Sequence, residues 1–316
     1  QRGISRAVIV GGGLIGIELA EMLHSRNVPV TMLVREESFW NNVLPDQESA
    51  LINGHIREHH IDLRLGEELD KIEGDSDGRV HSIVTKSGEK IECQFVGLTV
   101  GVSPNIDFLK SSGINLKKGV LVNDYLETNE KDVYAIGDCA EFEKHPVEGR
   151  RNIEQVWYTG RMMGETVAQT ICGNRTAYQP GIWFNSAKFF DIEYQTYGWV
   201  MASLRDNEDE FYWEHEDGKI CVHIVFEKKQ QTILGINAFG IRLRHSVCEN
   251  WIKKGYQMNN VMREIKDALF DPEFYKNQAP SIIQAYNQKF GTTLTPSKRS
   301  WKRLLTLQTN QANEIS

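Results

Sequence analysis

The sequence has no long apolar run and no closely spaced cysteines. No stretch of about 18 consecutive apolar residues occurs, which argues against a membrane-spanning helix. None of the five cysteines forms a Cys-x-x-Cys pair, which excludes a zinc ribbon and a disulfide framework and favours a reducing compartment. The net charge of −7 over 316 residues lacks the basic excess of nucleic-acid-binding proteins. We therefore predict a cytoplasmic protein with no nucleic-acid partner, no membrane span and no signal peptide, because residues 1–6 lead directly into a strand pattern.

A glycine-rich turn near the start of the chain joins a predicted strand to a predicted helix. The apolar run Ala7–Val10 is typical of a buried parallel strand, and Ile17–Ser25 has a helical pattern. The Gly-x-Gly-x-x-Gly turn between them contains Gly11, Gly13, Leu14, Ile15 and Gly16. In such a turn the first glycine permits a tight bend, the second lets the backbone approach a pyrophosphate, and the third allows close packing of helix on strand. Because a helix N-terminus favours negative charge, this pattern predicts dinucleotide binding.

The second predicted strand, Val28–Val34, ends where the adenosine ribose of a dinucleotide should lie. An acidic residue about 20 positions after the glycine turn usually accepts a hydrogen bond from the ribose 2′-hydroxyl, which selects Glu36 or Glu37. Arg35 stands beside them and suits a 2′-phosphate instead. The sequence leaves NAD and NADP both open.

Histidines crowd the end of the next predicted helix, Asp46–His60. His55 and His59 stand four residues apart, as two metal ligands on one helix face would. No matching carboxylate or third histidine is evident in the sequence. We therefore predict no metal site and interpret this segment as a solvated helix end.

Short segments between Ile61 and Val100 predict a β-meander inserted within a doubly wound domain. The core strand Phe95–Val100 then stops at Gly101. The following tight loop, residues 101–105, lies at the carboxyl end of a parallel strand, where ligands bind in open α/β sheets.

Two further strands are predicted at Gly119–Val122 and Asp132–Ile136. The second runs into Gly137 and Asp138. A carboxylate at a strand end suits hydrogen bonding to a polyol, and it equally suits capping of the next turn, so both alternatives stay open. A long amphipathic helix is predicted over Ile153–Cys172, with a glycine C-cap directly after it.

From Tyr178 onward the pattern predicts an α+β domain with an antiparallel sheet. Its predicted strands are Glu193–Met201, Glu210–Glu216, Ile220–Glu227 and Thr232–Ala238. Val247–Lys254 and Asn260–Leu269 are predicted helices. The last part of the chain is polar, and we interpret its basic patch at residues 298–303 as a solvated tail or surface helix rather than an anion-binding site.

Three widely spaced motifs occur in a recognisable order. The first is Gly11–Glu18, the second is the Gly-x-x-Pro-Asn-like loop within Thr99–Asn105, and the third is Thr128–Ala140. Together they resemble the nicotinamide-nucleotide fingerprint, a pocket loop and the second FAD motif of the pyridine nucleotide–disulfide oxidoreductase superfamily. Within this superfamily the chain is similar to ferredoxin and rubredoxin reductases and to nitrite-reductase-like NAD(P)H dehydrogenases. The likeness covers about residues 5–240.

The resemblance implies a set of residues that contact the nicotinamide coenzyme. The fingerprint glycines would hold the pyrophosphate of NAD(P)H. Glu18 matches an acidic position near the nicotinamide and is a predicted catalytic residue, while Gly101 would line the nicotinamide side of the pocket. Val34 and Arg35 resemble the family's NADP-type pair, which conflicts with the NAD-type role of Glu36.

The resemblance also implies a set of residues that contact FAD. Gly137 and Asp138 would bind this cofactor, with Asp138 on the ribityl chain. Glu154 and Trp157 are similar to a segment in which an aromatic ring lies near the isoalloxazine, so Trp157 is the second predicted catalytic residue. The alternative for Trp157 is a core position on a helix face.

Two departures from the family pattern bear on activity. The family's FAD domain begins with its own glycine fingerprint, which is absent here, so we expect ~100–150 residues, about one domain's worth, to be supplied in cis or in trans. The sequence also lacks a redox-active cysteine pair and, after Asn237, the His-Glu couple of the disulfide-reducing members. The missing couple argues against dithiol chemistry, and we expect the chain alone to be incomplete as an enzyme.

The predicted fold class is α/β, with a Rossmann-like domain, a β-meander insertion, a partial FAD domain and a C-terminal α+β domain with an antiparallel sheet. The predicted domains are an NAD(P)-binding domain at 1–124, the C-terminal part of an FAD-binding domain at 125–175, an α+β interface domain for a homodimer at 176–275, and a polar extension at 276–316.

The predicted function is that of an FAD-dependent NAD(P)H oxidoreductase. Hydride would pass from the nicotinamide to the flavin, and electrons would then pass to an acceptor protein or small molecule. Ferredoxin, rubredoxin, a quinone, nitrite and oxygen are the acceptors considered. The alternative is a nucleotide-binding, redox-sensing interaction module without turnover.

Overall fold

The structure, a computed structural model, describes residues 3–147, 149–270 and 276–296. The chain divides into two units, residues 1–191 and residues 192–316. None of the helices in the described ranges combines the length and the apolar character that a membrane crossing needs.

The first unit contains ten strands and three α-helices among its described residues. In chain order they are β1 (Ala7–Val10), α1 (Leu14–His24), β2 (Val30–Val34), α2 (Asp46–Glu58), β3 (Asp62–Leu65), β4 (Leu69–Gly74), β5 (Val80–Thr85), β6 (Lys90–Glu92), β7 (Phe95–Leu98), β8 (Val120–Val122), β9 (Ala140–Phe142), α3 (Trp157–Ile171) and β10 (Phe184–Phe189).

A parallel sheet in the order β3-β2-β1-β7 forms the first part of this unit. Ala7 of β1 is in register with Val30 on one side and with Phe95 on the other. The chain moves outward from β1 to β3 and then returns to the other side of β1, so the strand order reverses between β1 and β7. A reversal of this kind opens a crevice at the carboxyl ends of the strands. The predicted Rossmann-like architecture is confirmed.

The inserted β-meander is also confirmed. Strands β4, β5 and β6 form an antiparallel sheet. Its apolar residues share one buried core with the parallel sheet; this core consists of Val8, Leu33, Ile83, Ile91 and Cys93. The insertion therefore packs against the parallel sheet.

A second core occupies the rest of the first unit. Strands β8 and β9 pair in parallel, and helix α3 packs beside them. The core consists of Ile106, Val120, Val122, Leu126, Ala135, Ala140, Phe142, Met163, Val167 and Tyr178. Some of these residues come from the range 1–124, which we assigned from the sequence to the first domain. The domain boundaries at 124, 175 and 275 stay a prediction.

The strand predicted at Asp132–Ile136 was wrong. This segment contributes only a single bridge between Glu127 and Tyr134. Leu126 and Asp132 adopt positive φ values of 62° and 63°, which end the extended conformation needed for a strand. Within the segment Ala135 is buried in the core, whereas Val133 and Ile136 are 38% and 41% exposed, so the apolar pattern does not mark a buried strand here.

Helix α3 begins four residues later than predicted. Val156 is extended, with φ −136° and ψ 135°, so the helix starts at Trp157 instead of Ile153. The predicted end is confirmed, because Gly173 follows the helix with a φ of +93°.

The second unit contains an antiparallel sheet and three helices among its described residues. They are β11 (Ile192–Gly198), β12 (Glu208–Glu214), β13 (Cys221–Glu227), β14 (Ile233–Phe239), α4 (His245–Lys253), α5 (Met258–Ala268) and α6 (Ala279–Phe290). Its strands follow the order β11-β14-β13-β12, which confirms the predicted antiparallel sheet.

Helix α6 lies in the segment that we predicted to be a polar extension. It buries Ile282, Ile283 and Tyr286, and the Tyr286 hydroxyl donates to Asn259 Oδ1 at 3.0 Å. The start of this segment therefore belongs to the packed domain. The basic patch at residues 298–303 lies outside the described residues.

Candidate functional site

The turn between β1 and α1, which we call the glycine corner (residues 11–16), has no room for a Cβ at Gly11, Gly12 or Gly16. Gly11 has a φ of +121°, and a Cβ there would lie 2.4 Å from the carbonyl oxygen of Thr99. A Cβ on Gly16 would lie 2.6 Å from the carbonyl oxygen of Gly11. The tight bend and the close packing of helix on strand predicted for these two glycines are confirmed.

Gly13 differs from its neighbours because it faces open space. It caps the N-terminus of α1 in an extended conformation, and a Cβ on it would meet no atom within 4 Å. The first N–H groups of a helix have no partner within the helix. The glycine corner therefore presents free donors and the positive end of a helix dipole to an uncrowded surface, which is an arrangement that binds phosphates.

Gly12 and Thr99, which we did not single out from the sequence, fix the position of the glycine corner. A Cβ on Gly12 would lie 2.7 Å from Val34 Cγ1, so the corner is seated on the end of β2. Thr99 donates from its backbone N–H and its hydroxyl to the Val10 carbonyl, at 2.8 and 2.9 Å. Val34, a predicted cofactor contact, is fully buried and packs against this turn at Gly12. The run of three consecutive glycines was the signal for Gly12.

The two residues that would select between NAD and NADP are bonded to each other. Arg35 Nε donates to Glu36 Oε1 at 2.7 Å, just beyond β2. This hydrogen bond raises the pKa of the Arg35 guanidinium above its ordinary value. Both candidate ribose contacts thus lie at the carboxyl end of β2, as predicted, with their charges paired.

The remaining predicted nicotinamide contacts are accessible. Glu18 is exposed on α1. Gly101 is exposed with a φ of +111°, and a Cβ on it would meet no atom within 4 Å. Its neighbours Val100 and Val102 are 74% and 63% exposed, which is unusual for valine. The loop after β7 therefore offers an uncovered apolar surface at the ligand-binding edge of the sheet.

A second group of predicted contacts lies at the short helical turn Gly137–Cys139, which we call the aspartate turn. Gly137 has a φ of +76°, its N–H donates to Met163 Sδ at 3.3 Å, and Asp138 is exposed. A Cβ on Gly160 would lie 3.4 Å from the Cα of Gly137. Helix α3 thus packs closely against the aspartate turn, and Gly160 is another contact that we did not predict.

Trp157 is the first residue of α3 and is 69% exposed. The alternative that it fills a core position was wrong. The Arg161 guanidinium lies 5.8 Å from its ring centroid. A large aromatic ring held at a surface beside the aspartate turn is available to a ligand or to another protein segment.

Glu154 has a different environment from the one that we predicted for a cofactor contact. It is buried and accepts hydrogen bonds from Arg150 Nε at 2.6 Å and Arg150 Nη2 at 2.5 Å. His145 Nε2 lies 3.9 Å away, and desolvation lowers the pKa of this histidine. Both carboxylate oxygens of Glu154 are used within the chain, so this residue fixes the segment that leads into Trp157.

The prediction that no carboxylate accompanies His55 and His59 was wrong. Asp191 meets both histidines from the segment after β10, although it is more than 130 residues away in sequence. These three residues lie outside the two groups described above.

Curated relatives match this chain over more than half of its length. An NAD(P)H coenzyme A polysulfide/persulfide reductase of Pyrococcus horikoshii is 32% identical over 210 residues, which are 65% of this chain and 46% of that protein. The 5,5'-dehydrodivanillate O-demethylase ferredoxin reductase subunit of Sphingobium sp. is 32% identical over 197 residues, 62% of this chain and 48% of that protein. The chain thus spans about half the length of these curated relatives.

A similar fold occurs in solved structures. The structure of an NAD-dependent persulfide reductase from A. fulgidus matches with a TM-score of 0.74 and 20% identity, covering 95% of this chain and 61% of that chain. At this identity the match shows the fold alone. The family described as pyridine nucleotide-disulphide oxidoreductase matches residues 1–164, which is more than half of the 316 residues. The chain therefore belongs to the pyridine nucleotide-disulphide oxidoreductase family.

Proposed function

We propose that the chain is part of an FAD-dependent NAD(P)H oxidoreductase, with NAD(P)H at the glycine corner and FAD at the aspartate turn. The observation that carries the proposal is the open face of Gly13 at the N-terminus of α1, at the point where the strand order reverses between β1 and β7. When both coenzymes are bound, the nicotinamide supplies a hydride that the flavin accepts. The protein's part is to hold, orient and shield them.

At the nicotinamide side, each residue has a defined task in this proposal. Backbone N–H groups at the start of α1 bind the pyrophosphate, and Gly11 and Gly16 keep these groups in place. Glu18, exposed on the same helix, orients the nicotinamide carboxamide. Gly101 lets the loop after β7 approach the nicotinamide ring closely, because no side chain intervenes. Arg35 and Glu36 contact the adenosine ribose.

The residues of the aspartate turn fit FAD in part. The exposed Asp138 carboxylate accepts hydrogen bonds from the ribityl hydroxyls, and the exposed Trp157 ring lies near the isoalloxazine. The buried pair of Arg150 and Glu154 positions Trp157 by fixing the segment between β9 and α3. We propose that a segment in cis or in trans covers the exposed apolar surface here and completes the FAD site.

The acceptor of the electrons is a separate part of the proposal. One relative is named as a polysulfide/persulfide reductase and another as a ferredoxin reductase subunit. The acceptors that we considered from the sequence did not include sulfur compounds. We therefore add sulfur compounds to the candidate acceptors. The predictions of a homodimer and of a cytoplasmic location stay predictions. No disulfide joins the five cysteines, which all lie in the part of the chain that the structure describes, and this suits a reducing compartment.

The proposal is tested at two levels. Titration of this chain with NADH and NADPH, followed by calorimetry, should show one saturable site whose affinity falls in Gly13→Ala and is kept in Gly54→Ala. Gly54 is a matched control because a Cβ on it also meets no atom within 4 Å, on helix α2. Unchanged binding by Gly13→Ala would contradict the proposed location of NAD(P)H.

At the second level, anaerobic titration of the flavin-containing full-length protein with NADH and NADPH should bleach the flavin absorbance. Addition of ferredoxin, rubredoxin or a persulfide to the reduced protein should then restore it, and the acceptor with the highest rate is identified. A chain that binds NADH while the full-length protein shows no bleaching would support a nucleotide-binding module without turnover.

A further inference from the structure

Three side chains with metal-ligating atoms meet at one edge of the parallel sheet in the first unit. Helix α2 presents His55 and His59 on one face because they are four residues apart. Asp191 approaches them from the segment after β10. The ligand atoms of the three residues all lie within 4.8 Å of one another. We propose that His55, His59 and Asp191 bind a divalent transition-metal ion, with zinc as the representative ion.

The distances suit a single ion. His55 Nε2 and His59 Nε2 lie 2.8 and 2.9 Å from the same oxygen, Asp191 Oδ1. Zinc bonds of about 2.0–2.2 Å in a tetrahedral site place neighbouring ligand atoms about 3.3–3.6 Å apart. Side-chain rotations that open each contact by about 0.4–0.8 Å therefore admit the ion.

The surroundings of the three residues orient them for this role. His55 Nδ1 lies 3.7 Å from Glu58 Oε2, so a carboxylate stands behind the ring, as it commonly does behind metal-bound histidines. The His59 ring is stacked on Phe190, with centroids 4.2 Å apart and planes 10° from parallel. The site also lies at the C-terminal end of α2, where the helix dipole favours a cation.

The donor set selects the class of ion. Two imidazoles with one carboxylate favour zinc, cobalt or nickel over magnesium and calcium, which prefer oxygen ligands alone. The Asp191 side chain is 65% exposed whereas that of His55 is 1% exposed, so the ion enters from the Asp191 side. Three protein ligands leave a fourth position for water or for a solvent-borne ligand.

The position of the site makes its binding independent of the nicotinamide coenzyme. Helices α1 and α2 end near the N-terminal ends of the parallel strands, because β2 and β3 follow them. The glycine corner lies at the opposite, C-terminal ends of the strands, because it follows β1. A bound ion would join the end of α2 to the segment after β10 and would stabilise the folded chain, because the unfolded chain does not hold the three ligands together.

The experiment uses the 316-residue chain after treatment with a chelator. Titration with Co²⁺, followed by its visible absorbance, should show one saturable equivalent, and Zn²⁺ should displace it. Zn²⁺ should also raise the melting temperature. His59→Gln and Asp191→Asn should each weaken Co²⁺ binding at least about 10-fold, and Glu58→Gln should weaken it less.

His60→Gln is the matched control, because His60 follows His59 directly and is exposed. This variant should bind Co²⁺ as the original chain does, and the affinity for NADH should be the same with and without Zn²⁺. The two ligand substitutions are chosen because both side chains reach solvent, so the variants should fold. Failure of the original chain to bind Co²⁺, or equal weakening in His60→Gln, would overturn the proposal.

Discussion

The glycine corner and the aspartate turn, both in the first unit, are held in different ways. At the glycine corner the backbone itself fills the space, and Gly11, Gly12 and Gly16 have no room for a Cβ. At the aspartate turn Gly137 faces open space, and the segment leading to Trp157 is fixed by side chains, chiefly the buried pair of Arg150 and Glu154.

The two regions also differ in what they leave uncovered. Gly13 offers backbone donors to a phosphate, whereas the aspartate turn stands between the exposed apolar residues Ile136 and Trp157, which are 41% and 69% exposed. In the proposed function the glycine corner binds NAD(P)H with residues of this chain, while a further segment covers the exposed apolar residues at the aspartate turn. Substitutions in one region should therefore leave the other region's function intact.

The largest expected effect comes from Arg150→Met. This change leaves the Glu154 carboxylate buried without its partner, which should lower the free energy of unfolding by about 3–5 kcal/mol. Urea denaturation measures the loss, and Arg151→Met, an exposed neighbour, should change it by less than about 0.5 kcal/mol. Below the unfolding transition, Arg150→Met should still bind NADH; loss of NADH binding by the folded variant would break the separation of the two regions.

Gly11→Ala should show the converse pattern at somewhat smaller cost. The new Cβ would lie 2.4 Å from the Thr99 carbonyl at a φ of +121°, which should cost about 2–3 kcal/mol of stability and displace the turn. NADH binding should be lost while the region around α3 stays folded, as seen by hydrogen exchange. Normal NADH affinity in Gly11→Ala would show that the corner tolerates a different backbone path.

Gly13→Ala sharpens the comparison because it should affect binding alone. A Cβ here meets no protein atom within 4 Å, so the free energy of unfolding should change by less than about 0.5 kcal/mol. The methyl group would lie between the backbone and the pyrophosphate, and NADH affinity should fall at least about 10-fold. Calorimetry and thermal unfolding on the same preparation separate the two effects.

The smallest expected effect is the pH dependence that Glu127 gives to the free energy of unfolding, in the same part of the first unit as the aspartate turn. Hydrogen bonds from Arg175 and Asn123 lower the pKa of Glu127 from 4.5 to about 2. Because this pKa is depressed in the folded state, the stabilisation is present above pH 4.5 and is lost as the pH falls towards 2. Glu127→Gln should lower stability by about 1 kcal/mol at pH 7, because the pair is partly exposed. Its stability should converge with that of the original chain near pH 2; a constant difference down to that pH would contradict the assignment.

The glycine corner could be predicted from sequence because its parts are contiguous. Strand, turn and helix follow within one short segment, and each glycine has a steric reason that the structure bears out at Gly11 and Gly16. The strands of the parallel sheet, the β-meander and the antiparallel sheet could also be predicted, because the hydrophobic periodicity of each strand is a local pattern. Thr99 was not singled out because its role depends on β7 lying beside β1.

The errors have a common physical origin. Asp132–Ile136 has a strand pattern, but the positive φ of Asp132 interrupts the extended backbone at its first residue, and only Ala135 of the segment is buried. The contact of Glu154 with a cofactor stays a prediction, and only the fold shows Arg150 bonded to both of its oxygens. Asp191 completes the histidine cluster across more than 130 residues, a juxtaposition that no local pattern encodes.

The central claim is that NAD(P)H lies across the glycine corner, and a crystal structure of this chain with bound NADH or NADPH tests it most directly. The account predicts density for the pyrophosphate against the backbone N–H groups that follow Gly13, with the adenosine ribose beside Arg35 and Glu36. An ordered coenzyme bound elsewhere on the chain, with the glycine corner empty, would contradict the account.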